Sequence, residues 1–146
     1  GFTLAPEHVE PWIERMEEQA QKMLGTKERP AELHVDAEIG LGDVQWELVE
    51  VVSSMEPFGV GNPQPVFASR SVSVVSAERI GKTKTHLRLT VADGQHDMRK
   101  CIGFGMGERA DDLSAGAIID LAYEVGVNEW NGRRELQLRL VDLQTT

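Results

Sequence analysis

From Ser71 to Leu140 apolar and polar side chains alternate with a two-residue period, broken once by a short helical stretch, and few folds accept that order. Val72 and Val74 begin a first strand that reaches Ile80, with room for a bulge near Val75. Leu87, Leu89 and Val91 alternate with His86, Arg88 and Thr90 in a second. Ala92-Asp93-Gly94 makes a turn, and a third strand runs from about Met98 to Phe104. Gly105-Met106-Gly107 then leads into a helical piece from Glu108 to Leu113. The fourth strand puts Ile119, Leu121, Tyr123, Val125 and Val127 on one face. Asn131-Gly132 is a strong hairpin signal, and the fifth strand turns Leu136, Leu138 and Leu140 inward.

Strands with one apolar side must cover it, and closing the sheet on itself does so without leaving open edges. Three strands, a short helix and two more strands match the OB barrel, whose helix sits between its third and fourth strands. The expected fold is mainly β with α (α+β), a five-stranded OB-like barrel over residues 71–146 preceded by two helices. Val9, Trp12, Ile13, Met16, Ala20, Met23 and Leu24 follow the spacing of one helix face, with Pro11 in the first turn and Gly25 at the stop. Leu33, Val35 and Ala37 alternate like a short strand. A second helix is expected with Asp43 as N-cap, Val44, Leu48, Val51, Val52 and Met55 on one side, and Pro57 ending it. These elements make residues 1–56 a helical linker. Residues 57–70 form a junction, because three prolines, two glycines and an asparagine between Pro57 and Pro65 demand a rigid, shaped loop.

The formal charge of -9 argues at first against a polyanionic partner. Up to Glu56, however, there are 4 basic and 13 acidic residues, against 11 and 11 beyond it. Arg70, Arg79, Lys82, Lys84, Arg88, Arg99 and Lys100 outnumber the acids of their own stretch, an asymmetry that suggests a nucleic-acid surface.

An OB barrel grips its ligand across strands two and three with the loops joining strands one to two and four to five. Here the first loop carries Lys82 and Lys84, and the second carries Trp130, Arg133 and Arg134. His86 and Arg88 point outward between them. Cations that track phosphates, with a ring on which a base stacks, are the ingredients of sequence-tolerant single-strand binding. The two loops are expected to close on one groove.

Catalytic chemistry is missing. His8, His34, His86 and His96 form no HxxxH pair, Cys/His zinc spacing is absent, and Asp36 with Glu38 or Asp111 with Asp112 reads as exposed acid. Gly103-Phe104-Gly105-Met106-Gly107 lacks the lysine of a phosphate loop and reads as a tight strand-to-helix corner. Cys101, the single cysteine, is expected to be structural. No catalytic residue and no metal ligand is therefore assigned. No apolar run nears the roughly 20 residues of a membrane span, and no leader pattern is present, so a cytoplasmic protein without membrane contact is expected.

Pro57-Phe58-Gly59-Val60-Gly61-Asn62-Pro63-Gln64-Pro65-Val66-Phe67 resembles the PFGxGNPxPxF signature of the RecJ single-strand-specific exonuclease family. Gly81 through Leu89, Cys101-Ile102-Gly103-Phe104 and Asn128-Glu129-Trp130-Asn131-Gly132 are similar to three further motifs of that family, and Gly1-Phe2-Thr3-Leu4 to the end of its DHH-associated domain. The resemblance implies a C-terminal OB module of a parent enzyme that removes nucleotides from the 5′ end of single-stranded DNA in repair and recombination. The manganese or magnesium of that parent is expected in a DHH domain whose motifs this chain lacks, so no cofactor is expected here. Lys82, Lys84, His86 and Arg88 become the strand-facing candidates, and Pro57, Phe58, Gly59, Gly61, Asn62 and Pro63 the junction against the catalytic domains. The alternative is a protein-interaction module that docks a single-strand-binding protein, a helicase or the catalytic core.

Overall fold

The computed structural model describes residues 1–25, 32–94, 97–130 and 132–146, without the side chain of Trp130. His96 and Asn131 lie outside the described residues. The chain divides into two units, Gly1–Leu33 and His34–Thr146.

In the first unit a 3-10 turn at Pro6–His8 leads into helix α1, Val9–Leu24. Gly25 ends it at φ 68°, a left-handed geometry that glycine adopts without steric cost, and its N–H bonds Gln21 O. Trp12, Ile13 and Met16 stay exposed, with Phe2 set 5.1 Å from the Trp12 ring centre.

The second unit begins with strand β1, which is only Ala37–Glu38 and pairs in parallel with strand β2, Phe67–Ile80. Leu33 and Val35 are exposed and outside any strand, contrary to the sequence expectation. Before β1 the Asp36 N–H still bonds Val66 O at 2.8 Å while its carboxylate takes the Val66 N–H at 2.9 Å, and the preceding Pro65 has no N–H to carry the ladder further. Asp43 does not cap the next helix either. It closes a 3-10 turn, Leu41–Asp43, by accepting the Gly40 N–H at 3.0 Å, and Gln45 is the N-cap of helix α2, Trp46–Ser53. The buried face of α2 is Val49 and Val52, rotated from the expected one, so Val51 and Met55 are exposed.

The segment between α2 and β2 is built around one fastened turn. Gly59 and Asn62 exchange backbone hydrogen bonds at 2.8 and 3.1 Å, and Gly61 supplies the φ of 85° that the turn needs. The Asn62 amide donates to Met55 O and Pro57 O, while Gln64 donates to Val125 O at 2.9 Å. Phe58 packs against the core, and Val60 stands fully exposed at the tip.

Strands β3 (His86–Ala92), β4 (Met98–Gly103), β5 (Ile118–Trp130) and β6 (Arg133–Thr145) complete the sheet. Its order, β1-β2-β3-β4-β6-β5 with β2 returning to β5, makes a closed five-stranded barrel with β1 added beside β2. Two irregularities in β2, at Ser69/Val72 and at Val74/Ser76, let one half of the strand pair β5 and the other half pair β3. A 3-10 stretch, Gly107–Asp112, stands between β4 and β5. The first barrel strand therefore starts at Phe67 rather than Ser71, and the last continues past Leu140 to Thr145, a bulge opposite Ala122/Tyr123 returning Leu143 to the core.

Leu87, Leu89, Val91, Cys101, Ile119, Leu121, Tyr123 and Leu138 fill the barrel, nearly without exposure. The polar exception is Ser69, whose hydroxyl donates to Ile39 O and so must accept from Tyr123 Oη, both at 2.8 Å. Burial pushes the Tyr123 phenol up to about 12, and also the Cys101 thiol up to about 12.

Candidate nucleic-acid interface

The loop from Gly81 to Thr85 joins β2 to β3 and holds Lys82 and Lys84 exposed. Its backbone is set by Gly81 at φ 91°, by Lys84 at the left-handed φ of 54°, and by Lys84 N–H on Gly81 O. The strand-to-helix corner after β4 braces it, because Gly107 N–H bonds Thr85 O at 2.9 Å. A Cβ on Gly107 would sit 2.5 Å from Lys84 O, so this glycine is what lets the corner close on the loop. Among the described residues neither lysine has an acidic partner within ion-pair distance.

The outer face of β3 and β4 continues from this loop. His86 accepts the Gly105 N–H on Nδ1 at 3.1 Å and meets the Phe104 ring at 5.3 Å, nearly edge-on. Phe104 is 60% exposed. Arg88 lies outward opposite Ile102, with Glu78 3.8 Å away. Lys100, counted in the basic stretch but not placed in the site, and Arg139, which sequence reasoning passed over, lie on the same face, where Lys100 has Glu135 at 4.0 Å and Arg139 has Glu124 at 2.6 Å. Their outward alternation was visible, but not that β6 joins β4 in parallel beside them. Phe104 was also missed as a surface ring, although glycines on both sides are a signal of an uncovered corner. Arg79 is tied to Asp111, and Arg99 turns to Val44 O, which removes both from the free cations.

The hairpin loop is placed differently from the expectation. Leu87 faces Gly103 at one end of the β3–β4 pair and Ala92 faces Met98 at the other. Because β6 runs parallel to β4 through Cys101–Leu138, Arg133 enters from the Met98 end, while Lys82 and Lys84 stand at the Gly103 end. The two loops thus flank the face from opposite ends and do not converge. Arg133 and Arg134 alternate across β6, and the Arg134 guanidinium lies 5.5 Å from the Trp46 ring centre on α2. Beside it is a cavity of about 330 Å³ lined by Val52, Phe58, Gln64, Val127 and Arg134. The Trp130 side chain lies outside the description.

Among the described residues no group of three His, Cys, Asp or Glu side chains is placed to hold a metal ion, and no helix is long and apolar enough to cross a membrane.

Residues 35–142 match the family model described as the RecJ OB domain. The chain belongs to that family. The single-stranded-DNA-specific exonuclease RecJ of Bacillus subtilis is 30% identical over 142 residues, which cover 97% of this chain and 18% of the relative. The enzyme of the same name from Haemophilus influenzae is 27% identical, over 97% of this chain and 24% of its own length. This RecJ OB domain thus spans about a fifth of the curated relatives it matches. The crystal structure of RecJ from Thermus thermophilus in complex with Mn2+ superposes with a TM-score of 0.67 at 20% identity, covering all of this chain and 20% of that one. That likeness bears on the fold alone.

Proposed function

We propose that this domain binds single-stranded DNA, as the C-terminal module of a RecJ-like 5′-to-3′ exonuclease of DNA repair and recombination. The observation that carries the reading is the pair Lys82 and Lys84, exposed and without an acidic partner among the described residues, on a loop that Gly107 braces against the outer barrel face. A polyphosphate chain is the ligand such cations suit. Arg88, His86 and Arg133 extend the path along the face, while Arg134 holds the hairpin to α2 and helps only by positioning. Hydrolysis, with its manganese or magnesium, belongs to parts of the parent beyond these residues.

Fluorescence anisotropy of labelled oligo-dT, titrated with the domain at rising NaCl, tests this. Affinity should fall with salt. Each phosphate that a lysine neutralises on a single strand adds roughly 0.7 to the salt slope, so Lys82→Glu with Lys84→Glu should weaken binding and flatten that slope by about 1.4. An unchanged slope, or no binding at low salt, refutes it.

A second reading concerns the junction loop. Val60 is fully exposed at the tip of a turn that Asn62 fastens to Met55 O and Pro57 O, and exposed Met55 and Val51 lie on the adjoining helix end. A rigidly held apolar tip suits docking against the catalytic domains of the same protein. Val60→Asp should weaken association of this domain with the separately expressed remainder of the parent, and equal association of the variant counts against this role.

A further inference from the structure

Phe104 is a large ring left largely uncovered on a barrel whose other aromatic on the same corner, His86, is already fixed. At 60% exposure it buries less than half of its surface in the domain. Its surroundings are also unlike a protein-docking patch. Lys82 and Lys84 lie on the adjoining loop, and Arg88 follows His86 on the neighbouring strand. The geometry is rigid: the Gly105 N–H holds His86 Nδ1, the His86 ring meets Phe104 at 72°, and Gly107 N–H holds the lysine loop. An edge contact with His86 occupies at most one face of the phenyl ring, so a face remains for a ligand.

We infer that Phe104 is a nucleobase-stacking step, with Lys82 and Lys84 taking the phosphates on one side of the stacked base and Arg88 those on the other. This rests on the proposed single-strand binding and adds to it the part of the nucleotide recognised at this corner. The backbone contacts are indifferent to the base, whereas the stack requires one. Stacking on an aromatic side chain is sequence-tolerant, because every base has a π-face, so the step selects bases over bare backbone and not one base over another.

The discriminating ligands are oligo-dT and a strand of equal length made of abasic tetrahydrofuran nucleotides, titrated into the 146-residue chain. The wild type should bind oligo-dT more tightly. Phe104→Ala should lose about fivefold or more for oligo-dT and leave abasic binding unchanged, which removes the preference. Phe104→Trp should restore it, with fluorescence quenching by oligo-dT beyond that of the wild type. A preference that survives Phe104→Ala overturns the inference, as does its loss in Trp130→Ala with Phe104 intact. Binding of neither strand by the wild type sinks the proposed function itself, whereas equal binding of both by the wild type sinks only the stacking step.

Discussion

Gly107→Ala separates the bracing of the lysine loop from the rest of the fold. The new methyl would lie 2.5 Å from Lys84 O and 2.7 Å from Thr85 C, both backbone atoms that cannot swing aside as a side-chain end does. An ordinary contact needs about 3.4 Å or more, so the loop must retreat by roughly 0.9 Å or the corner must open. Overpacking of this kind costs about 1–3 kcal/mol, and losing the Gly107 N–H bond to Thr85 O adds about 0.5–1.5 kcal/mol. At about 4 °C per kcal/mol, the melting temperature should fall by roughly 6–18 °C. Gly105→Ala is the control. Its Cβ meets nothing within 4 Å, and only the φ of 74° opposes it, at about 1–2 kcal/mol. Urea denaturation and oligo-dT anisotropy on both variants give the answer: Gly107→Ala should lose DNA affinity at temperatures where it is still folded, and Gly105→Ala should keep it. A Gly107→Ala protein as stable as the wild type refutes the steric argument. One that is destabilised but binds normally refutes the link between loop position and binding.

Tyr123→Phe leaves Ser69 its bond to Ile39 O and should cost about 1 kcal/mol in urea; adding Ser69→Ala should cost less than the two singles summed, a coupling a double-mutant cycle reads directly. High pH should unfold the domain. Folded Tyr123 and Cys101 hold their protons up to about 12, above the ordinary 10.0 and 9.0, so their contribution is intact below about 9 and is lost as pH climbs toward 12. Each group adds a slope of up to about 1.4 kcal/mol per pH unit in that window, and Cys101→Ala should remove the part that starts lowest, measured by urea midpoints between pH 8 and 11.

Most of the barrel was legible because its core residues keep strict alternation, from Leu87 through Val91 and from Ile119 through Val125. Legibility failed where a polar group serves the interior or a local bond replaces a ladder. Ser69 occupies an inward position of β2 as a hydrogen-bond partner, which hid the four residues before Ser71 from any apolar count. Asp43 and Asp36 satisfy nearby backbone N–H groups, one in a 3-10 turn and the other at the end of β1, so neither plays the part its spacing suggested. In the site, Lys82 and Lys84 stand on the loop before β3, and His86 and Arg88 on β3 itself, positions that follow from chain order alone. That order gave no access to the long-range facts that decide the remainder: the Trp46 ring waiting for Arg134, and the parallel entry of β6 that carries the hairpin to the far end.

Strand β2 begins opposite Tyr123, yet β5 goes on to Trp130, so the outer stretch of the β5–β6 ribbon has only its own partner strand and no second neighbour from β2. It behaves as a cantilever. Gln64 on Val125 O sits at its root, and Arg134 against Trp46 is a strut along its length. The ribbon can tilt once these two contacts give way together with the Lys100–Glu135 pair and the packing of Val127 and Leu136 on the core, while every rung of the closed barrel stays in place, so its amides should open to solvent exchange at a smaller free energy than those of β3. A fixed cationic corner at one end and a compliant arm at the other would let the same surface accept strands of differing curvature.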